Sequence, residues 1–172
     1  MKQTLDDLKS RRSCRAYTPQ RVPEAVLNEI LEAGLYAPTG MGRQSPIMVA
    51  VQDADTVRLL SQLNARVMGA DSDPFYGAGT VIIVLADPEI GTYREDGSLV
   101  MGNLLNAAHA LGLGSCWIHR AREVFDRPEG KALLKKWGVP ERYVGIGNCI
   151  LGYAAQPPAA PKPRKSDYIY RV

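Results

Sequence analysis

Between Gly79 and Asp87 the chain reads Thr80-Val81-Ile82-Ile83-Val84-Leu85-Ala86. The β-branched residues favour a strand, and the unbroken apolar run leaves that strand no face for water. This predicts the central strand of a sheet, and every other element must find its place around it. Ile47 to Val51 is a second unbroken apolar run, read as a strand buried on both faces. Ser115-Cys116-Trp117-Ile118-His119 gives a third strand. Tyr143 to Tyr153, carrying Val144, Ile146, Cys149, Ile150 and Leu151, gives a fourth.

The intervening segments read mostly as helices. Thr4 to Ser10 is a short one, with Thr4 and Asp7 spaced as a capping box and Leu5 and Leu8 as its apolar side. Pro23 opens the next, where Val26, Leu27, Ile30, Leu31 and Leu35 recur at helical spacing. It must stop at or before Ala37, because Pro38 disfavours helical geometry in the residue before it. Asp53 or Asp55 caps a third helix with Val57, Leu60, Leu63 and Val67 inward. Asp96 to Leu111 is apolar around most of its surface, which predicts burial, either by its own domain or by a second subunit. Gly112-Leu113-Gly114 ends it. Arg122 to Asp126 reads as a link, and Glu129 to Trp137 as a helix stopped by Gly138.

Three stretches read as irregular. Ala37 to Pro46 holds two glycines and two prolines, a loop of fixed shape with exposed amides. Gly69 to Gly77 is polar and turn-rich, read as a mobile loop with Phe75 and Tyr76 available to cover a ligand. From Ala154 onward, Pro157, Pro158, Pro161 and Pro163 predict an extended arm. Its end, Tyr168 to Val172, has strand composition and could join a sheet edge in a partner chain.

A chain of 172 residues reads as one domain, residues 1–172, able to bury a core without a metal or disulfide staple. Cys14, Cys116 and Cys149 are odd in number and form no C-x-x-C, so neither a zinc site nor a redox dithiol is predicted. The N-terminus lacks the apolar run of a leader and no segment reaches the ~20 apolar residues of a span. A cytoplasmic protein without a membrane partner is expected. A net charge of +3 gives no reason to expect nucleic acid.

Charge is instead concentrated at the two ends. Arg11-Arg12-Ser13-Cys14-Arg15 places three guanidiniums and a hydroxyl within five residues, and Lys162, Arg164 and Lys165 sit among the prolines of the arm. Arginine binds phosphate through parallel hydrogen bonds, so the two groups are read as meeting on one phosphate. The alternative is a solvated basic turn. Common catalytic motifs are absent: no G-x-S-x-G, no H-E-x-x-H, no P-loop lysine and no dinucleotide fingerprint. Of the two histidines, His109 reads as a core or interface residue, and His119 ends a strand beside Arg120 and Arg122. Two separated histidines make no metal site. An enzyme so equipped would rely on a bound cofactor. The basic clusters, the Pro38-Thr39-Gly40 loop and the strand ending in Trp117-Ile118-His119 suit a flat heteroaromatic ring with a phosphorylated tail.

Five stretches, in order along nearly the whole chain, resemble the FMN-dependent nitroreductase family. They are Arg11 to Tyr17, Ala37 to Gln44, Gly102 to Ala108, Gly112 to Ile118 and Lys162 to Lys165. The resemblance implies an α+β fold around a mostly antiparallel central sheet flanked by helices, and an intertwined homodimer with FMN at its interface. By the same resemblance Arg11, Arg12, Ser13 and Arg15 contact the flavin, and Lys162 and Arg164 bind its phosphate. Pro38, Thr39 and Gly40 come from the second subunit, with Gln44 and Asn64 as further contacts. Trp117, Ile118 and His119 border the ring, the amide near His119 reaching flavin N5. Met41, Phe75 and Tyr76 face the substrate.

The activity implied is transfer of electrons from NADH or NADPH, by a ping-pong cycle, to a nitro compound, quinone or similar small acceptor. No side chain of the chain itself need donate a proton. Dehalogenation, enoate reduction or flavin fragmentation on the same scaffold is the nearest alternative, and a non-catalytic flavin-binding protein the more distant one. Two departures from the family pattern, Gly42 and the Gln44-Ser45-Pro46-Ile47 sequence, bear on substrate choice.

Overall fold

The computed structural model describes residues 3–172. Met1 and Lys2, where the expectation of no leader begins, lie outside the described residues. Thr80–Ala86 forms β2, and all seven of its residues are buried. It lies between β1 (Pro46–Val51) and β4 (Val144–Gly152), with β3 (Gly114–Ile118) beyond β4, giving the order β1-β2-β4-β3. All three pairings are antiparallel.

Strand alternation divides β2 between two cores. Val81, Ile83 and Leu85 enter one, formed with α3 (Ala54–Met68), α5 (Ala121–Phe125) and α6 (Pro128–Lys136). Ile82 and Val84 enter the other, formed with α2 (Glu24–Leu35) and α4 (Tyr93–Ala110). The architecture is α+β, an antiparallel sheet with helices against both faces.

Glycines in β4 let other chain segments approach. Val84 pairs with Gly147 and Leu85 with Gly145, so Ile146 is an extra residue at a bulge and packs into the α2–α4 core. The Trp117 indole lies over Gly147, and the backbone of Ala121 lies against Gly145.

Local signals were resolved or corrected in several places. Asp53, not Asp55, caps α3, its carboxylate accepting from the Thr56 amide at 2.9 Å and the Thr56 hydroxyl at 2.6 Å. Thr4 lies inside α1 (Gln3–Ser10) and does not cap it; the Gln3 side chain instead donates to Asp7. Helix α4 starts at Tyr93, three residues before Asp96, and Asp96 is buried. Residues 122–126 do not form a plain link: α5 takes in 122–125 with Asp126 at its C-terminal cap, driven by burial of Ala121, Val124 and Phe125. The loop at residues 69–77 is held by Asp73, which accepts from Ser61 Oγ, the Phe75 amide at 2.9 Å and the Gly77 amide at 2.7 Å. Within this chain, residues 168–172 form no strand and are exposed.

A Cβ on Gly145 would lie 2.3 Å from the Ala121 carbonyl carbon and 2.6 Å from the Arg122 nitrogen, backbone that cannot step aside. Gly145→Ala should therefore cost about 1–3 kcal/mol or more, lowering the urea midpoint at unchanged slope. Gly79→Ala, whose added carbon meets nothing within 4 Å among the described residues, should stay within ~0.5 kcal/mol of the parent.

Candidate functional site

The basic segment after α1 passes along the sheet and meets it at two isolated bridges, the first on the open edge of β3. Ser13 bridges Ser115 in parallel, and the Cys14 amide donates to the Ser115 carbonyl at 2.9 Å. Further on, Tyr17 bridges Ala154, the Thr18 amide donates to Tyr153 and the Ala155 amide to Ala16. Side chains in an extended segment alternate. Cys14 points to the side of Gly114, where an added Cβ would sit 2.7 Å from its sulfur. Arg11 lies near enough to Cys149 on β4 for its charge to act on that thiol. Burial pushes the Cys149 thiol upward more strongly than Arg11 lowers it, so it remains protonated and is no redox thiolate.

The cationic groups divide in role. Arg12 Nη1 donates to the Lys9 carbonyl at 2.8 Å and the Arg11 carbonyl at 2.6 Å, closing the C-terminal end of α1. This use of one guanidinium nitrogen was not anticipated for a predicted flavin contact. Its Nε, and Nη1 of Arg11, are buried with no hydrogen-bond partner among the described residues. A cleft of about 460 Å³ is lined by Arg12, Ser13, Arg15 and His109 on one side and the arm at Pro157 and Pro158 on the other. A second, of about 530 Å³, is lined by Lys9, Arg12, Lys162 and Arg164. The chain ends do converge, and Arg12, rather than Arg11, is the residue the two clefts share.

Asn64 on the inner face of α3 is 0% exposed, and neither amide atom has a partner among the described residues. Leaving a buried polar group unpaired costs about 1–3 kcal/mol, so its presence calls for a ligand or a function. At the end of β3, Trp117 is half-buried and His119 exposed. Ile118 packs into the core, with its carbonyl accepting from Asn148 at 3.4 Å. It offers a ligand backbone only, not its side chain. Phe75 is 2% exposed and part of the core, so it cannot cover a ligand as expected. Its neighbour Tyr76 is exposed at positive φ. A cavity of about 520 Å³ between α3 and this loop is lined by Val57, Ser61, Asp73 and Phe75, away from the cationic segments.

Pro38, Thr39, Gly40, Met41 and Gln44 line none of these cavities. The structure places them at the N-terminal end of α4, in a loop containing a 3-10 turn at Gly40–Gly42. Buried Asp96 holds it, accepting from the Gly40 amide at 2.9 Å, Ser45 Oγ at 2.7 Å and Thr92 Oγ1 at 3.1 Å. Burial pushes the Asp96 carboxyl upward, yet these donors together bring it below the ordinary range. The carboxylate is thus charged inside the protein.

For two residues at opposite ends of α4, sequence reasoning gave a role but not the partners. His109 Nε2 lies 2.8 Å from Ser10 Oγ, joining the ends of α4 and α1 beside the first cleft. Asp96 read as a helix start, and only the fold reveals the loop it holds. Among the described residues no cluster of three or more His, Cys, Asp or Glu could hold a metal ion, and no helix is long and apolar enough to cross a membrane.

Known proteins share both the sequence pattern and this geometry. A Bacteroides fragilis nitroreductase with bound FMN superposes at a TM-score of 0.92, with 32% identity and the full length of both chains covered. An Archaeoglobus fulgidus relative, provisionally named NADH dehydrogenase/NAD(P)H nitroreductase, is 31% identical over 89% of this chain and 86% of its own. The FMN reductase (NAD(P)H) of Bacillus subtilis is 26% identical over 95% of this chain and 70% of its own. The Nitroreductase family model matches residues 8–153, which take in the basic segment, the Asp96-held loop and all four strands of the sheet, and the chain belongs to that family.

Proposed function

We propose that the protein is an FMN-dependent oxidoreductase that takes electrons from NADH or NADPH and passes them, in a ping-pong cycle, to a small acceptor such as a nitro compound or quinone. The observation that carries this reading is that four of the five buried polar atoms without partners among the described residues, Arg11 Nη1, Arg12 Nε and both amide atoms of Asn64, belong to residues that resemble flavin contacts; the fifth is Thr18 Oγ1. Cationic donors suit a phosphate and a carbonyl-bearing ring edge, while an amide suits a ring that both donates and accepts. The residues present therefore fit FMN, and the family relatives' names support the same cofactor and electron donors. Bound FMN supplies the two-electron redox chemistry.

The chain's own residues bind and orient. Lys162 and Arg164 would hold the phosphate with Arg12, which lines their cleft, and with Arg11 through its unpartnered Nη1, and Ser13 would add a hydroxyl. Arg15, which lines the first cleft, would stabilise negative charge on the reduced cofactor. Asn64 would pair with a ring that both donates and accepts. The backbone near Trp117, Ile118 and His119 borders the reactive edge. Pro38, Thr39, Gly40 and Gln44 serve the site of a second copy, with Met41 and Tyr76 toward the acceptor.

The second copy is supported by exposed apolar side chains. Leu35, Tyr36 and Leu99 lie open on the α2–α4 side, and Tyr168, Ile169 and Tyr170 lie open on the arm. No strand among the described residues pairs with the outer edge of β1, which leaves it available to a partner's arm. We read the protein as one domain over residues 1–172, its arm leaving at about residue 154, in an intertwined homodimer. Three free cysteines accord with a cytoplasmic location.

Purified protein should be yellow, release FMN rather than FAD on heating, and bleach with NADH or NADPH until an artificial acceptor restores the colour. A colourless protein that also ignores added FMN would overturn this assignment. Arg11→Ala and Arg164→Ala each remove a charge-assisted bond of about 1.5–3 kcal/mol. Titration should show FMN weakened roughly 10- to 150-fold, with riboflavin, which lacks the phosphate, affected far less. Asn64→Leu should act in opposite directions. It should stabilise the ligand-free protein by about 1 kcal/mol or more in denaturant titrations, while weakening FMN and riboflavin alike.

A further inference from the structure

The loop between α2 and β1 is strained, yet firmly held. Met41 and Gln44 are non-glycine residues at φ 53° and 51°, in the left-handed region. Such conformations cost about 1–3 kcal/mol each and persist only where the surroundings impose them. Here a buried carboxylate anchors both ends of the loop, and hydrogen bonds to Thr39 and Gly40 hold its middle. Asp96 fixes the loop's start through the Gly40 amide and its end through Ser45, and reaches Thr92 at the head of α4. Between these anchors, Gly42 donates to Thr39, Arg43 to Gly40, and the Gln44 amide to Thr39 Oγ1. The outcome is that an apolar side chain, Met41, is 82% exposed at the loop's apex with a glycine on either side. Strain at a rigid loop presenting an unbranched, polarisable side chain is a pattern of binding surfaces rather than of solvent-facing turns.

We propose that Asp96 is a positioning residue: it locks residues 39–45 in their strained shape so that Met41 stands out as an apolar wall against which an aromatic electron acceptor packs. The inference rests on the reading that this loop borders the flavin site of a second copy. Asp96 touches neither cofactor nor acceptor and acts only through the loop. A hydrophilic acceptor such as ferricyanide needs no apolar wall, whereas a naphthoquinone does. The carboxylate therefore governs selectivity between acceptor classes more than electron transfer itself.

The FMN-loaded protein would be assayed with a naphthoquinone and with ferricyanide, in Met41→Ala, Asp96→Asn and the double variant. Each single change should lower the preference for the naphthoquinone, as a ratio of kcat/KM values, by about tenfold. The double variant should be no worse than Met41→Ala, because both changes act through one side chain. In the ligand-free protein, Asp96→Asn should also speed amide exchange at Gly40, Gly42, Arg43 and Gln44. If Asp96→Asn does not fold, Ser45→Ala removes one anchor and must show the same non-additivity. Additive losses, an unchanged preference in Met41→Ala, or unchanged exchange would overturn the proposal while leaving the flavoenzyme reading intact. A parent protein that binds no FMN would instead remove that reading.

Discussion

A strand without a polar face can exist only where both sides are roofed. At ~25 cal/mol per Å² of apolar surface removed from water, β2 gains from each roof separately, and each roof is built from distant parts of the sequence. One draws on α2 and α4, the other on α3, α5 and α6. This requirement sets the shape of β4 as well. Its glycines give up side-chain contacts so that the Trp117 ring and the Ala121 backbone can close against the sheet. The bulge at Ile146 returns an aliphatic group to the α2–α4 core.

Against this apolar frame stand a few polar groups of two kinds. Asp96 is buried with three donors, charged and satisfied, and it sets backbone shape. Asn64 and the unpartnered nitrogens of Arg11 and Arg12 are buried and unsatisfied. A fold tolerates the first kind because the hydrogen bonds offset desolvation. The second kind carries a desolvation cost that no group among the described residues offsets, and Thr18 Oγ1 shares it. Burial alone therefore does not distinguish the two kinds; the count of donors and acceptors does.

Much of the frame was legible because strand alternation and helix spacing are local properties. Thr80–Ala86 was read to the residue. The approach of Lys162 and Arg164 to the N-terminal cluster was legible only as charge chemistry, and the sequence could not tell that Arg12 is the arginine lining their cleft. Failures came where tertiary contacts override local composition. The polar run at residues 69–77 looked mobile, but Asp73 ties it and Phe75 anchors it in the core. The charged segment after Arg120 looked like a link, yet three apolar side chains in five residues sufficed for a helix once a core was there to receive them. Asp96 looked like a helix start because its loop partners lie about fifty residues earlier in the chain.

The segment of Arg11, Arg12 and Arg15 meets partners far away in sequence: Ser13 is bridged to Ser115, and Tyr17 to Ala154. These contacts close loops of a hundred residues and more, among the slowest for a chain to make. During synthesis the three arginines emerge before β3, β4 and the start of the arm, so nothing exists to receive them until those have left the ribosome. The segment therefore takes its final place only after the strands it meets, although it precedes them all in the chain.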